Sequence, residues 1–290
     1  METKRAVSPG GEKWLGQAIR CLDHGFVYLV DYMGNDEAIA QAARVSYGKG
    51  TKKTSEDQGL IRYLLRHRHT TPFEMVEFKF HCKLPIFVAR QWIRHRTANV
   101  NEYSGRFSEM SKEFYLPEPK VISVQSQGNK QGRGNALSPE EAEVVRNILK
   151  SDFDIVYGDY EQLLEKNVAR ELARIGLSVA NYTEWYWKID LHNLFHFLSL
   201  RLDAHAQYEI RVFAEAMADI VKDTVPFAFK AFEDYRLNAM QLTAVEMKMV
   251  RQGAWPKTLK DAEMYLAVFI PGERERNECI EKFRRLGLVA

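Results

Sequence analysis

Between Val76 and Leu84 the side chains alternate without a break. Val76, Phe78, Phe80, Cys82 and Leu84 are apolar, and Glu77, Lys79, His81 and Lys83 are polar. A period of two sustained this long predicts a strand, Met75 to Leu84, with one face in a core and the other outside. Pro85 has no amide hydrogen for a continued ladder, so it ends the strand and can open a helix through PIFVARQWIRHR, residues 85–96. A second strand is expected at GFVYLVDYMG, 25–34, where β-branched and aromatic residues lie between glycines. An all-helical fold is thereby excluded.

Helical signals surround these strands. Asn35 or Asp36 can cap a helix to about Ser46, and Ser55 another to about His67. Ser138, Pro139 and Glu141 form a capping box with proline at the first helical position. Helical periodicity then recurs at 139–166, 169–179, 188–201, 204–222, 226–237 and 239–252, and a charged amphipathic helix is expected over 272–286. Strands early and helices late predict an α+β fold, with a small mixed or antiparallel sheet from the N-terminal half packed with many helices. Residues 1–20 read as a polar, loosely ordered lead-in. The Gln/Gly/Asn/Ser-rich stretch 121–138 reads either as a linker or as a surface insertion.

Composition narrows the function classes. Lys and Arg number 41 against 39 Asp and Glu, a net charge of +2, which argues against a dedicated nucleic-acid binder. No apolar run approaches the roughly 18 residues needed to span a bilayer. The N-terminus has no apolar stretch typical of a secretory signal, and Cys21, Cys82 and Cys279 form no CxxC pair. A reducing, cytoplasmic setting is expected. Cys82 belongs to the inward face of its strand, where a thiol is inert. Neither GxGxxG after a strand nor GxxxxGK[ST] is present. His192 and His196 have ligand spacing, but HNLFH lacks the glutamate of HExxH, and no metal is expected.

The basic residues are clustered. Arg62, Arg66, His67, Arg68 and His69 form one group; Arg90, Arg94, His95, Arg96 and Arg106 form another. With Gln91, the residues Arg90, Arg94 and His95 fall at helical spacing opposite Phe87, Val88 and Trp92. Arginine forks suit phosphate and carboxylate oxygens, although such a face can also simply be solvated. The segment TANVNEYSGRFS that follows offers mixed donors, acceptors and a glycine for close backbone approach. Ser104 has no base placed beside it by a recognisable motif, so it reads as a hydrogen-bonding ligand. Arg201 closes an apolar helix, with Asp203 and His205 just beyond; it either complements the helix terminus or polarises a substrate. Two rival functions use the same residues. One is a metal-dependent nucleotide phosphohydrolase built on His192, His196 and Asp203 or His205. The other is an RNA-binding module stacking bases on Tyr103 and Phe107.

Arg94-His95-Arg96, seven residues and then Ser104 resemble the signature of the flavin-dependent thymidylate synthases, the ThyX family. The resemblance extends to HTTPFE (69–74), NEYSGRFSEMSKEFYLP (101–117), ELARIGL (171–177) and LRLDAHAQYEI (200–210), and covers roughly 24–235. It implies a synthase domain at 24–238 with a polar insertion at about 121–138, an N-terminal extension at 1–23 and a helical C-terminal extension at 239–290. It further implies reductive methylation of dUMP to dTMP without a cysteine nucleophile. Methylenetetrahydrofolate would supply the carbon, and NADPH would act as reductant through bound FAD. The implied dUMP contacts are Gln91, Trp92, Ile93, Arg94, Glu102, Tyr103, Ser104, Gly105, Arg106, Arg174 and Arg201, with Arg201 catalytic. The implied FAD contacts are Thr71, Arg94, His95, Arg96 and Glu102, with Ile189, Asp190, Leu191, His192 and His196, while His69 lies near flavin and folate. In the family that last segment reads Asn-x-Arg with Asn four residues on; here it is Asp190-Leu191-His192 with His196, so a donor is replaced by a negative charge. Family members are homotetramers with shared active sites, and neither nucleic acid nor membrane is an implied partner.

Overall fold

Strand pairing follows the alternation at 76–84. The structure, a computed structural model, describes residues 5–45, 54–127, 132–253, 255 and 265–289. Its strands are β1 (Ala18–Cys21), β2 (Gly25–Met33), β3 (Glu77–Pro85), β4 (Asn99–Glu102), β5 (Ser123–Gln125), β6 (Arg133–Ala136) and β7 (Tyr182–Asp190). Five form one antiparallel sheet in the order β1-β2-β3-β7-β4, and β5 and β6 make a separate hairpin. The inner face carries Phe78, Phe80, Cys82, Leu84, Trp185, Trp187 and Ile189, all buried. The other face carries polar cross-strand pairs, among them His81 with Glu184 at 2.9 Å and Lys188 with Glu77 at 3.0 Å. The α+β class expected from the sequence therefore holds, and the sheet is antiparallel.

Helices pack around this sheet and on one another. In chain order they are α1 (Pro9–Trp14), α2 (Asp36–Val45), α3 (Thr54–Arg66), α4 (Thr71–Glu74), α5 (Ile86–Trp92), α6 (Pro139–Glu165), α7 (Arg170–Ala173), α8 (Leu191–Arg201), α9 (Tyr208–Thr224) and α10 (Pro226–Phe232). Trp92, at the end of α5, is fully buried. Its ring stacks on Phe197 of α8 at 4.8 Å and meets Trp185 and Trp187 edge-on at 5.4 and 5.2 Å. This aromatic cluster locks α5 and α8 onto β7, and both site-bearing turns leave from its margins. The Ser138–Glu141 capping box opens α6 as expected. No helix among the described residues is long and apolar enough to cross a membrane.

Three expectations need correction. The lead-in is ordered from residue 5 onward: Ser8 Oγ donates to the Thr224 carbonyl at 2.7 Å, Tyr32 Oη donates to Glu12 at 2.6 Å, and β1 pairs with β2. The helix expected to run to Arg96 ends at Trp92, because the His95 amide turns back to the Trp92 carbonyl at 2.9 Å and the chain leaves to form β4. Residues 188–190 are strand rather than helix; Asp190 ends β7 and caps α8, accepting from the Asn193 amide at 2.9 Å. Thus one sheet strand comes from the second half of the chain. The 121–138 stretch contains the β5–β6 hairpin, with 128–131 outside the described residues. The expected ends at Ser46 and the Ser55 cap likewise fall outside the described residues and side chains.

The chain divides into two compact units, residues 1–232 and 233–290. The second begins with a π-helical turn, Glu233–Leu237, and contains α11 (Ala244–Gln252) and α12 (Glu273–Arg285). It has its own core of Met249, Leu266, Ile270, Cys279, Ile280, Phe283 and Val289. Thr243 and Glu246 form a capping box on α11, and Lys282 of α12 reaches the buried Glu246 carboxylate at 3.0 Å.

Candidate active site

The turn after α5 and the end of α8 meet through one hydrogen bond. Arg201 Nε donates to His95 Nε2 at 3.1 Å, which makes that nitrogen an acceptor and leaves the ring proton on Nδ1. Burial lowers the His95 pKa to about 4, helped by the charges of Arg201 and His196. Burial also lowers the pKa of Arg201. Beside them lies a cavity of about 620 Å³ lined by Gln91, Ser199, Leu200, Arg201, Asp203, His205, Ala206 and Gln207. Its volume is in the range of small-molecule sites, roughly 300–1,000 Å³. The Gln91 Oε1 is buried with no hydrogen-bond partner, an acceptor still requiring a donor. Asp203 accepts from the His205 amide at 2.8 Å and faces its Nδ1 at 2.9 Å.

The His95 environment implies a pH dependence of stability. Its folded pKa of about 4 lies below the ordinary 6.5. Above 6.5 the ring is neutral in both states and makes no difference. Below it the unfolded chain takes up a proton that the folded one refuses, so stability falls until about pH 4. His95→Gln keeps an acceptor for Arg201 and removes this titration. The thermal midpoint of that variant is expected to fall less steeply with acid than that of the wild type; equal slopes would exclude His95 as the cause.

A second group of expected residues forms around the turn after β4. Glu102 accepts from the Thr183 hydroxyl at 2.8 Å, and the Tyr103 amide donates to the Glu184 carbonyl at 2.8 Å. The Ser104 carbonyl accepts from the amides of Phe107 and Ser108 at 3.1 and 3.0 Å, and Ser104 Oγ accepts from that of Arg106 at 3.3 Å. Gly105 allows a close approach here. A Cβ on it would lie 2.8 Å from Met110 Sδ and 3.2 Å from both Cδ and Nη1 of Arg174. Arg106 is paired with Glu171 at 2.9 Å. The Arg174 side chain is exposed and its guanidinium has no hydrogen-bond or ion-pair partner among the described residues.

The expected flavin residues are less uniform. Arg94 and Arg96 are exposed and likewise without partners among the described residues. His95 and Arg96 line a recess of about 200 Å³ with Ile93, Ala98, Val100, Trp185 and Trp187. That volume can take only part of a dinucleotide. Thr71 opens α4 and is exposed; His69 is exposed and stacks on Tyr63 at 6.0 Å. Both Asp190 oxygens are engaged by Asn193, at 2.9 and 2.6 Å. The side chains of Ile189, Leu191 and Trp92 are buried in the core, so a ligand could meet only their backbone. His192 is half-buried and His196 exposed, its ring 5.9 Å from that of His95. Among the described residues no group of three or more His, Cys, Asp or Glu could hold a metal ion.

The fold thus gathers Gln91, His95, His196 and Arg201 in one place and Ser104, Gly105, Arg106 and Arg174 in another. No hydrogen bond or ion pair among the described residues links the two groups. Gln207, absent from the residues expected by sequence, lines the Arg201 cavity. It stands in the LRLDAHAQ run whose significance was visible, but its side-chain direction depends on the tertiary turn.

The arrangement is that of an α+β protein whose sheet margins present unpaired arginines suited to an anionic ligand. Residues 28–227 match the family model described as thymidylate synthase complementing protein. The flavin-dependent thymidylate synthase of Ruegeria pomeroyi is 61% identical over 254 residues, covering 86% of this chain and 84% of its own. That of Rickettsia prowazekii is 51% identical over 295 residues, covering 97% and 99%. Among solved structures, a UMP/dUMP methylase, PolB from Streptomyces cacaoi, bound with 5-Br dUMP, superposes with a TM-score of 0.69. It is 32% identical and covers 76% of this chain and 99% of its own. The chain belongs to the flavin-dependent thymidylate synthase family.

Proposed function

We propose that this protein methylates dUMP to dTMP, with methylenetetrahydrofolate as carbon donor and NADPH as reductant through FAD. The observation that carries the reading is the Arg201–His95 bond beside a cavity lined by Gln91, Arg201 and Gln207. A uracil offers carbonyl oxygens, which suit guanidinium nitrogens. Arg201, permanently charged and partly desolvated, draws negative charge onto the ring and so favours bond formation at C5. Arg94, Arg106 and Arg174 hold the anionic and carbonyl groups of the nucleotide. The free guanidinium groups of Arg94 and Arg96 and the neutral His95 fit a flavin dinucleotide, whose ring would lie against the recess lined by Trp185 and Trp187. When bound, FAD supplies the reducing equivalents that turn the transferred methylene into a methyl group.

The cysteines support a route without a thiolate nucleophile. Cys21, Cys82 and Cys279 are all free and buried. Burial pushes Cys21 and Cys279 up to about 12 and Cys82 well above its ordinary value. A Cys21→Ala/Cys82→Ala/Cys279→Ala variant loaded with FAD is expected to form dTMP at a kcat within about twofold of the wild type, with stability lower by about 1–2 kcal/mol per site. Loss of turnover in the folded, flavin-loaded variant would refute the thiol-free route.

Assembly as a homotetramer with shared sites is part of this proposal. Phe107 and Ile175 are 80% and 74% exposed beside the Arg174 turn, and α6 exposes Val144, Ile148 and Ile155 on one side. Such surface suits contact with further copies. A shared site would also bring the Arg174 group of one copy to the Arg201 group of another. The same reading places the protein in the cytoplasm, acting on small molecules without a nucleic-acid or membrane partner.

A further inference from the structure

The hairpin β5–β6 carries Arg133, whose side chain reaches the carboxylate of Glu209 in the first turn of α9. Arg133 Nη2 lies 2.5 Å from Oε1 and 2.6 Å from Oε2, while its Nη1 donates to the Val121 carbonyl at 3.2 Å. The Glu209 side chain is only 3% exposed. Its oxygens are also bonded by the Tyr115 hydroxyl at 3.0 Å and by Gln207 Nε2 at 2.9 Å. Gln207 is in turn part of the wall of the Arg201 cavity. A continuous chain of contacts, Arg133 to Glu209 to Gln207, therefore joins the hairpin to that cavity.

We propose that Arg133 is a positioning residue for this cavity, holding Glu209 charged so that Glu209 holds Gln207 and the turn 203–207 in place. The inference rests on the cavity receiving dUMP as proposed above. Burial alone would raise the Glu209 pKa, but the Arg133 contact and the Gln207 bond keep it below the ordinary carboxylate value. The charged and titratable groups facing it are Arg133 from β6, Tyr115 from the segment before the hairpin, and Tyr208 beside it on α9, over whose ring Arg133 lies at 5.9 Å. Without Arg133 the carboxylate would be buried against neutral donors only. It would then turn outward, or take up a proton and become a weaker acceptor, and either change loosens its hold on Gln207. One nitrogen serves both oxygens, so a lysine ammonium can take its place.

The test is steady-state kinetics of dTMP formation by the FAD-loaded enzyme across pH. Arg133→Gln is expected to raise KM for dUMP about tenfold while kcat changes less than about twofold. The defect should deepen as pH falls, because Glu209 without its cation titrates at a higher pH. Arg133→Lys is expected to restore KM and the pH profile. Gln207→Ala should reproduce the rise in KM without lowering the thermal midpoint; if Arg133→Gln does not fold, Arg133→Lys with wild-type KM supports the proposal and wild-type KM in Gln207→Ala overturns it. A purely structural hairpin would lower the midpoint and leave KM unchanged. Wild-type KM in Arg133→Gln or in Gln207→Ala, or a lysine variant as impaired as the glutamine variant, would overturn the proposal. A wild-type enzyme that makes no dTMP would instead overturn the parent reading.

Discussion

Arg201→Lys is expected to lower kcat for dTMP formation by about a hundred- to a thousandfold, the usual cost of losing a preorganised donor at a reacting centre. Lysine retains the charge, so this prediction isolates geometry. Arg201 spends Nε on His95 at 3.1 Å, which fixes the plane of the guanidinium and leaves its terminal nitrogens for a ligand. An ammonium at the same place can satisfy His95 or a substrate carbonyl, but not both in one plane. FAD content and the dUMP dissociation constant, measured on the same preparation, would show that the loss lies in the chemical step. A near-normal rate would remove Arg201 from the catalytic role.

Arg174→Ala is expected to weaken dUMP binding about thirty- to a hundredfold, equivalent to about 2–3 kcal/mol for charge-assisted hydrogen bonds. Turnover at saturating dUMP should fall far less. The contrast with Arg201 follows from their surroundings. Arg174 is exposed and packs against Gly105, and its guanidinium has no partner among the described residues. Its removal leaves no orphaned buried charge, and stability should change by no more than about 0.5 kcal/mol. Calorimetric titration with dUMP measures the effect directly; unchanged affinity would place Arg174 outside the nucleotide site.

How legible these features are in the sequence depends on how local their causes are. β3 could be read because a single buried face writes itself as strict alternation. The α6 cap could be read because Ser138 and Glu141 satisfy each other within one turn. YTEWYWKID alternates as well, with Trp185, Trp187 and Ile189 inward, but it adjoins a strongly apolar helix whose period masked it. The order of the N-terminal segment rests on single side-chain bonds such as Ser8 to Thr224, which leave no periodic trace. The same distinction applies to the site. Arg94-His95-Arg96 and Ser104 were visible as a spaced motif, whereas the bond between His95 and Arg201 depends on α5 and α8 packing around Trp92. Gly105 was legible as a place for close approach, but that Arg174 fills it was not.

The central claim is that this chain couples a flavin to methylation of dUMP through arginines rather than a cysteine. The most direct measurement is a single turnover without oxygen. Enzyme carrying FAD is reduced with NADPH, freed of excess reductant and mixed with dUMP and methylenetetrahydrofolate. The account predicts return of the oxidised flavin spectrum together with one dTMP per flavin. A flavin that stays reduced while dUMP is recovered unchanged would contradict it.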